Sequence, residues 1–122
     1  MKKIMVATIV LVLAFFLIFP NVIETAATPK PMKGKVVSLD EVFQGKKNLQ
    51  LTKERANELI EQGSPLVFLY NKKIYFVQTE SGDFAAKKIA NYAHREIVGI
   101  TGKIKTVNGI NFIIMSDIQP MD

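Results

Sequence analysis

"GKIKTVNGINFIIMSDI", Gly102–Ile118, decides the fold. It reads as strand, tight turn, strand. Asn108-Gly109 is the strongest short hairpin signal a sequence offers, because both residues tolerate the positive φ of a two-residue turn. Before the turn, Val98, Ile100, Gly102 and Ile104 recur at every second position and mark one inward face. Gly102 therefore sits where a core side chain belongs. A glycine there relieves crowding where a strand coils or bends sharply. The plainer alternative is a bulge in an open sheet.

Upstream, Lys35–Leu39 is a first strand rich in β-branched residues. The stretch "DEVFQGKKNLQ" shows no clear period and reads as a loop. A helix follows in "LTKERANELIEQGSP": Thr52 supplies an N-cap oxygen, Glu54 sits near the positive end of the dipole, and Ala56, Leu59 and Ile60 make one apolar stripe. Gly63 and Pro65 end it. The runs Leu66–Tyr70 and Ile74–Val77 flank a two-residue turn at Asn71-Lys72. Both runs are apolar at every position. A sheet with one wet face would alternate, so the second face is either covered by a helix or a recognition surface. A second, short helix begins after Asp83, a suitable N-cap, with Ala85, Ile89, Tyr92 and Ala93 on its apolar face. The order is strand, helix, strand, strand, helix, strand, strand. A five-stranded antiparallel sheet of this size that coils at Gly102 closes on itself. The expected fold is thus mainly β with two short helices (α+β), a five-stranded Greek-key barrel of the OB type over residues 35–122.

The N-terminal stretch has a different composition. Lys2 and Lys3 precede Ile4–Phe19, an uninterrupted uncharged and mostly apolar run that Pro20 stops. That is the anatomy of a secretory signal peptide over residues 1–27, with a cut after Ala27, followed by a mobile lead-in over residues 28–34. An uncleaved anchor is the alternative; its run of about 16 residues falls short of the ~20 that span a bilayer. The expected location is exported, periplasmic or extracellular, with membrane contact only through residues 4–19 if the segment stays. The chain has no cysteine, which excludes disulfides, thiolate metal sites, a cysteine nucleophile and lipoprotein-type acylation. Its net charge is +5; without residues 1–27, which hold two lysines and Glu24, it is about +4. That mild basicity suits a solvated surface or an anionic polymer. Nucleic acid is not an expected partner for an exported protein.

Gly34 with Val36, Gly63-Ser64-Pro65-Leu66, Lys73-Ile74-Tyr75, Tyr92-Ala93, and Ile100-Thr101-Gly102-Lys103-Ile104 with Gly109 resemble the motifs of a group of small exported bacterial proteins, OB-fold-like and without a known activity. The resemblance covers most of the chain after the N-terminal segment. It implies an OB-like fold and no activity. Some members carry cysteines near the first helix, and this chain does not, so no metal or redox role follows.

Chemistry-bearing residues are sparse. His94 is the single histidine and has no second histidine or cysteine to share a metal. Ser38, Ser64, Ser81 and Ser116 fall at strand ends and turns, without a base to activate them. Asp40 and Glu41 are adjacent in a loop. No cofactor and no enzyme activity are expected. The leading functional expectation is a non-catalytic binding module of the cell envelope, for a saccharide or an anionic polymer. Its candidate ligand-binding residues are Phe68, Tyr70, Lys72, Lys73 and Tyr75, with Lys103 and Lys105 at the rim, since aromatic stacking beside cations suits such ligands. A structural component of an envelope complex is the alternative, offering the edge of the strand Lys35–Leu39. A haem or metal chaperone is a third reading. Against it, the His-x-x-x-Tyr arrangement of the haem chaperones is missing, because Val98 stands four residues after His94.

Overall fold

The computed structural model describes residues 22–24 and 30–122. In chain order the elements are β1 (Val22–Glu24), β2 (Met32–Ser38), α1 (Leu39–Phe43), α2 (Lys53–Glu61), β3 (Leu66–Tyr70), β4 (Lys73–Thr79), α3 (Ala86–Ala90), β5 (Val98–Val107) and β6 (Ile110–Pro120). The strands form one six-stranded sheet in the order β1-β5-β2-β3-β4-β6, and β5 also pairs with β6.

This is a mixed α/β fold with three helices, and it corrects the expected five-stranded OB-like barrel on three counts. The sixth strand is β1, which lies antiparallel on β5 with Val22 opposite Val107 and Glu24 opposite Lys105. The pair β4–β6 is parallel, with Phe76 opposite Phe112, where an antiparallel sheet was expected. The linked strand pairings do not amount to a barrel: the inner face is filled from α2 and α3. Ala56, Leu59, Ile89 and Ala90 from those helices join Val36, Phe68, Tyr75, Val98, Ile100 and Ile113 in one core. Burying a helix stripe on a sheet face is an alternative to curling the sheet shut.

The expected signal segment lies mostly outside the described residues. Its described part, Val22–Glu24, is a strand of the sheet rather than a small-residue approach to a cut, and the labels signal peptide and secreted find no support. The lead-in is also shorter than expected, because β2 begins at Met32.

Local chemistry explains the other elements. Thr52 caps α2 as expected, its hydroxyl accepting from the Arg55 amide at 3.0 Å. Both hairpin turns use left-handed residues, Asn71 and Lys72 in one and Asn108 and Gly109 in the other. Ser38 caps α1, accepting from the Glu41 amide, so that the first part of the expected loop is helical. Asp83 does not cap α3; Ala85 stands at that position without a side-chain bond, and the Asp83 carboxylate instead receives the Ser81 hydroxyl at 3.3 Å.

Gly102 is buried next to a bulge. The register slips between Thr101, opposite Asp117, and Gly102, opposite Met115, which leaves Ser116 as the extra residue of β6. A Cβ on Gly102 would lie 2.1 Å from the Ile114 carbonyl oxygen. The glycine is required by the approach of the partner backbone rather than by barrel closure.

Candidate functional site

The two apolar runs of the β3–β4 hairpin resolve differently. On β3 both faces are covered: Phe68 belongs to the core, and Val67, opposite Val37, is fully buried as well. On β4 the pleat alternates. Tyr75 and Val77 point into the core, while Ile74, Phe76 and Gln78 are only half-buried on the other side. The same alternation runs along β6, where Ile113 and Met115 are buried and Phe112 and Ile114 are half-buried. Register then lays the outward residues side by side. Phe76 is opposite Phe112 and Gln78 opposite Ile114. On the far side of β6, Lys105 is opposite Phe112 and Lys103 opposite Ile114. The outer face is therefore three rows: aliphatic, aromatic and amide side chains on β4, aliphatic and aromatic ones on β6, and lysines on β5.

Phe84 completes the aromatic row. It bridges to Gln78 from the segment before α3 and is 66% exposed. Its ring meets Phe76 edge-on, with centroids 6.3 Å apart at 65°. Phe76 in turn meets Phe112 at 5.8 Å and 37°. Such geometries are attractive between aromatic quadrupoles, so the row is a pre-formed surface. A cleft of about 160 Å³ runs under Phe76 and Phe84, floored by Pro65, Leu66, Val77 and Ala86. The face ends in a more polar crevice of about 380 Å³ lined by Glu24, Glu80, Gly102, Lys103, Ile114 and Ser116. The Ser116 hydroxyl donates to the Thr101 carbonyl at 3.0 Å.

The residues expected to bind are divided by the fold. Phe68 and Tyr75 are core; Tyr75 is 6% exposed. Tyr70 is half-buried against that core, with its ring 6.3 Å from Phe68 and 6.1 Å from Tyr75. Burial pushes the Tyr75 hydroxyl above the ordinary tyrosine value, and the neighbouring Tyr70 adds to the shift. Lys72 and Lys73 are exposed at the β3–β4 turn. Lys103 and Lys105 are brought beside Phe112 and Ile114. The aromatic members of this face, Phe76, Phe84 and Phe112, were not singled out from the sequence. The period-2 pattern of β4 held the signal, since one of Tyr75 and Phe76 had to point outward.

His94 is exposed, and its carbonyl accepts from Gln50 Nε2 at 2.8 Å. Among the described residues no group of three or more His, Cys, Asp or Glu side chains is placed to hold a metal ion. β2, whose edge the envelope-component reading would offer to a partner, is paired with β3 along Lys35–Ser38 and with β5 along Met32–Gly34.

Comparison with family models, with curated proteins and with solved structures finds no match to this chain. The resemblance to small exported proteins therefore rests on its packing and turn motifs alone.

Proposed function

We propose that the protein is a non-catalytic binding module that holds a saccharide chain on the outer face of β4, β6 and β5. The observation that carries this is the aromatic row Phe84–Phe76–Phe112 leading into a crevice with Glu24, Glu80, Lys103 and Ser116. The row joins one exposed ring, Phe84, to two half-buried ones, Phe76 and Phe112, and a contiguous apolar patch of this kind marks a binding surface. Sugar rings have apolar C–H faces that lie on aromatic rings, and hydroxyls that carboxylates and ammonium groups can pair. Carboxylates accept from those hydroxyls, and the lysines donate to them. Lys105 adds a cation beside Phe112, which suits a polymer that carries acidic groups.

Affinity electrophoresis through gels holding a neutral β-glucan or polygalacturonate tests the reading. The protein is expected to be retarded by at least one of them, and Phe76→Ala to abolish the retardation while circular dichroism stays unchanged. Migration indifferent to both polymers, or a Phe76→Ala variant retarded as strongly as the parent, overturns it.

A further inference from the structure

The end of the molecule away from Phe84 gathers a different set of groups. Phe43, at the end of α1, is 75% exposed, and Ile110, just past the β5–β6 turn, is 50% exposed. Lys72 and Lys73, at the β3–β4 turn, line the same depression as Phe43, Ile110 and Gly109, and Phe76 borders it on the side of the aromatic row. Neither lysine is in an ion pair with a described residue. Two large exposed apolar side chains among unpaired lysines are an interfacial pattern: the apolar groups favour acyl chains and the ammonium groups favour anionic head groups.

The path of the chain supplies a second, independent observation. Val22 is opposite Val107, and Val107 is opposite Ile110 across β5. The N-terminal segment thus meets the sheet at this end. The apolar run Ile4–Phe19 stops three residues before Val22. A bilayer that takes up that run is thus tethered to the sheet through β1, which joins it at this end.

We infer that the end formed by Phe43, Ile110, Lys72 and Lys73 is a membrane-docking surface that rests on anionic lipid. This goes beyond the saccharide reading and adjoins it at Phe76, which lines both surfaces, so the reporters are placed at Phe43 and Phe84, one on each side of it. Docked in this way, β4 rises from the lipid, and Phe84, bridged to Gln78, stands roughly 17 Å up the strand from Lys73.

The chain has no tryptophan, so single replacements report locally. Full-length Phe43→Trp and Phe84→Trp proteins are mixed with phosphatidylcholine vesicles, with and without phosphatidylglycerol. Phe43→Trp emission is expected to shift to the blue on the phosphatidylglycerol vesicles, and Phe84→Trp emission to stay put. Lys72→Gln with Lys73→Gln is expected to weaken partitioning by about thirtyfold, at roughly fivefold per lysine near an anionic surface. Ile110→Trp serves as the reporter if Phe43→Trp does not fold. An unshifted reporter at this end, whether or not the chain sediments with the vesicles, overturns the inference. So does an equal shift at Phe84, or partitioning that ignores both lysines.

Discussion

Replacing Gly102 by alanine is the sharpest test of how β5 and β6 meet. The added Cβ would lie 2.1 Å from the Ile114 carbonyl oxygen, 2.9 Å from its carbonyl carbon and 3.1 Å from the Met115 Cα. A carbon and a carbonyl oxygen ordinarily meet no closer than ~3.3 Å, so the strands would have to part by more than about 1 Å. All three obstacles are backbone atoms, and no rotamer change relieves them. Overpacked core sites cost typically 1–3 kcal/mol, and a backbone clash belongs at the top of that range, about 3 kcal/mol. With a urea slope of ~1.5 kcal/mol/M, the unfolding midpoint should fall by about 2 M at constant slope. Equilibrium urea unfolding followed by circular dichroism reads this directly. A variant within about 0.5 kcal/mol of the parent would refute the argument, because β6 could not then be so close to Gly102.

Adjacent residues on β4 should behave in opposite ways. Tyr75→Ala empties a core site and should cost ~3–5 kcal/mol, whereas Phe76→Ala, half-buried on the outer face, should cost about 1 kcal/mol, both by urea unfolding. Equal costs would mean that the pleat is in the other phase. Thr52→Ala removes the oxygen that receives the Arg55 amide and should cost ~1 kcal/mol, read in the same assay; no loss would mean the cap is not formed. The raised pKa of the Tyr75 hydroxyl means that the folded protein holds this proton more tightly than the unfolded chain. Its stability contribution is whole below the unfolded value of about 10 and is lost as pH climbs from there through the folded-state value. Tyr75→Phe should therefore flatten the alkaline fall in stability, measured by unfolding at stepped pH, and an unchanged fall would count against the burial of that hydroxyl.

What was legible from the sequence was local chemistry. Thr52, Gly63 and Pro65 bound α2, and Asn71-Lys72 and Asn108-Gly109 placed both hairpins, because caps and left-handed turns depend on a few adjacent residues. The helix α1 carried a signal in Ser38-x-x-Glu41, an N-cap and an acidic residue three positions on, but five residues are too few to show a helical period. The parallel pairing of β4 with β6 and the docking of β1 on β5 join segments far apart in sequence, and no turn residue announces them. The candidate site was missed for a related reason. In the run Ile74–Val77 every residue is apolar, so composition does not say which face is buried, and only the contacts of Tyr75 with the core decide it. Lys103 and Lys105 were reachable because β5 does alternate.

The mid-strand glycine and the candidate site are parts of one construction. Along β6 the buried positions are Ile113 and Met115, then Ile118; the phase changes between them, at the bulge. Without the extra residue, alternation after Met115 would bury Asp117 and turn Ile118 to solvent. With it, Ser116 and Asp117 both face out, and Ile118 returns to the core. Ser116 then lines the crevice beside Lys103 instead of continuing an apolar row. The bulge needs close approach of the β6 backbone, and that approach needs a residue without a Cβ at position 102. A side chain at Gly102 should therefore disturb the polar end of the outer face as well as the stability of the sheet, while Phe76 and Phe112, set by the β4–β6 pairing, and Phe84, set by its bridge to Gln78, keep their places.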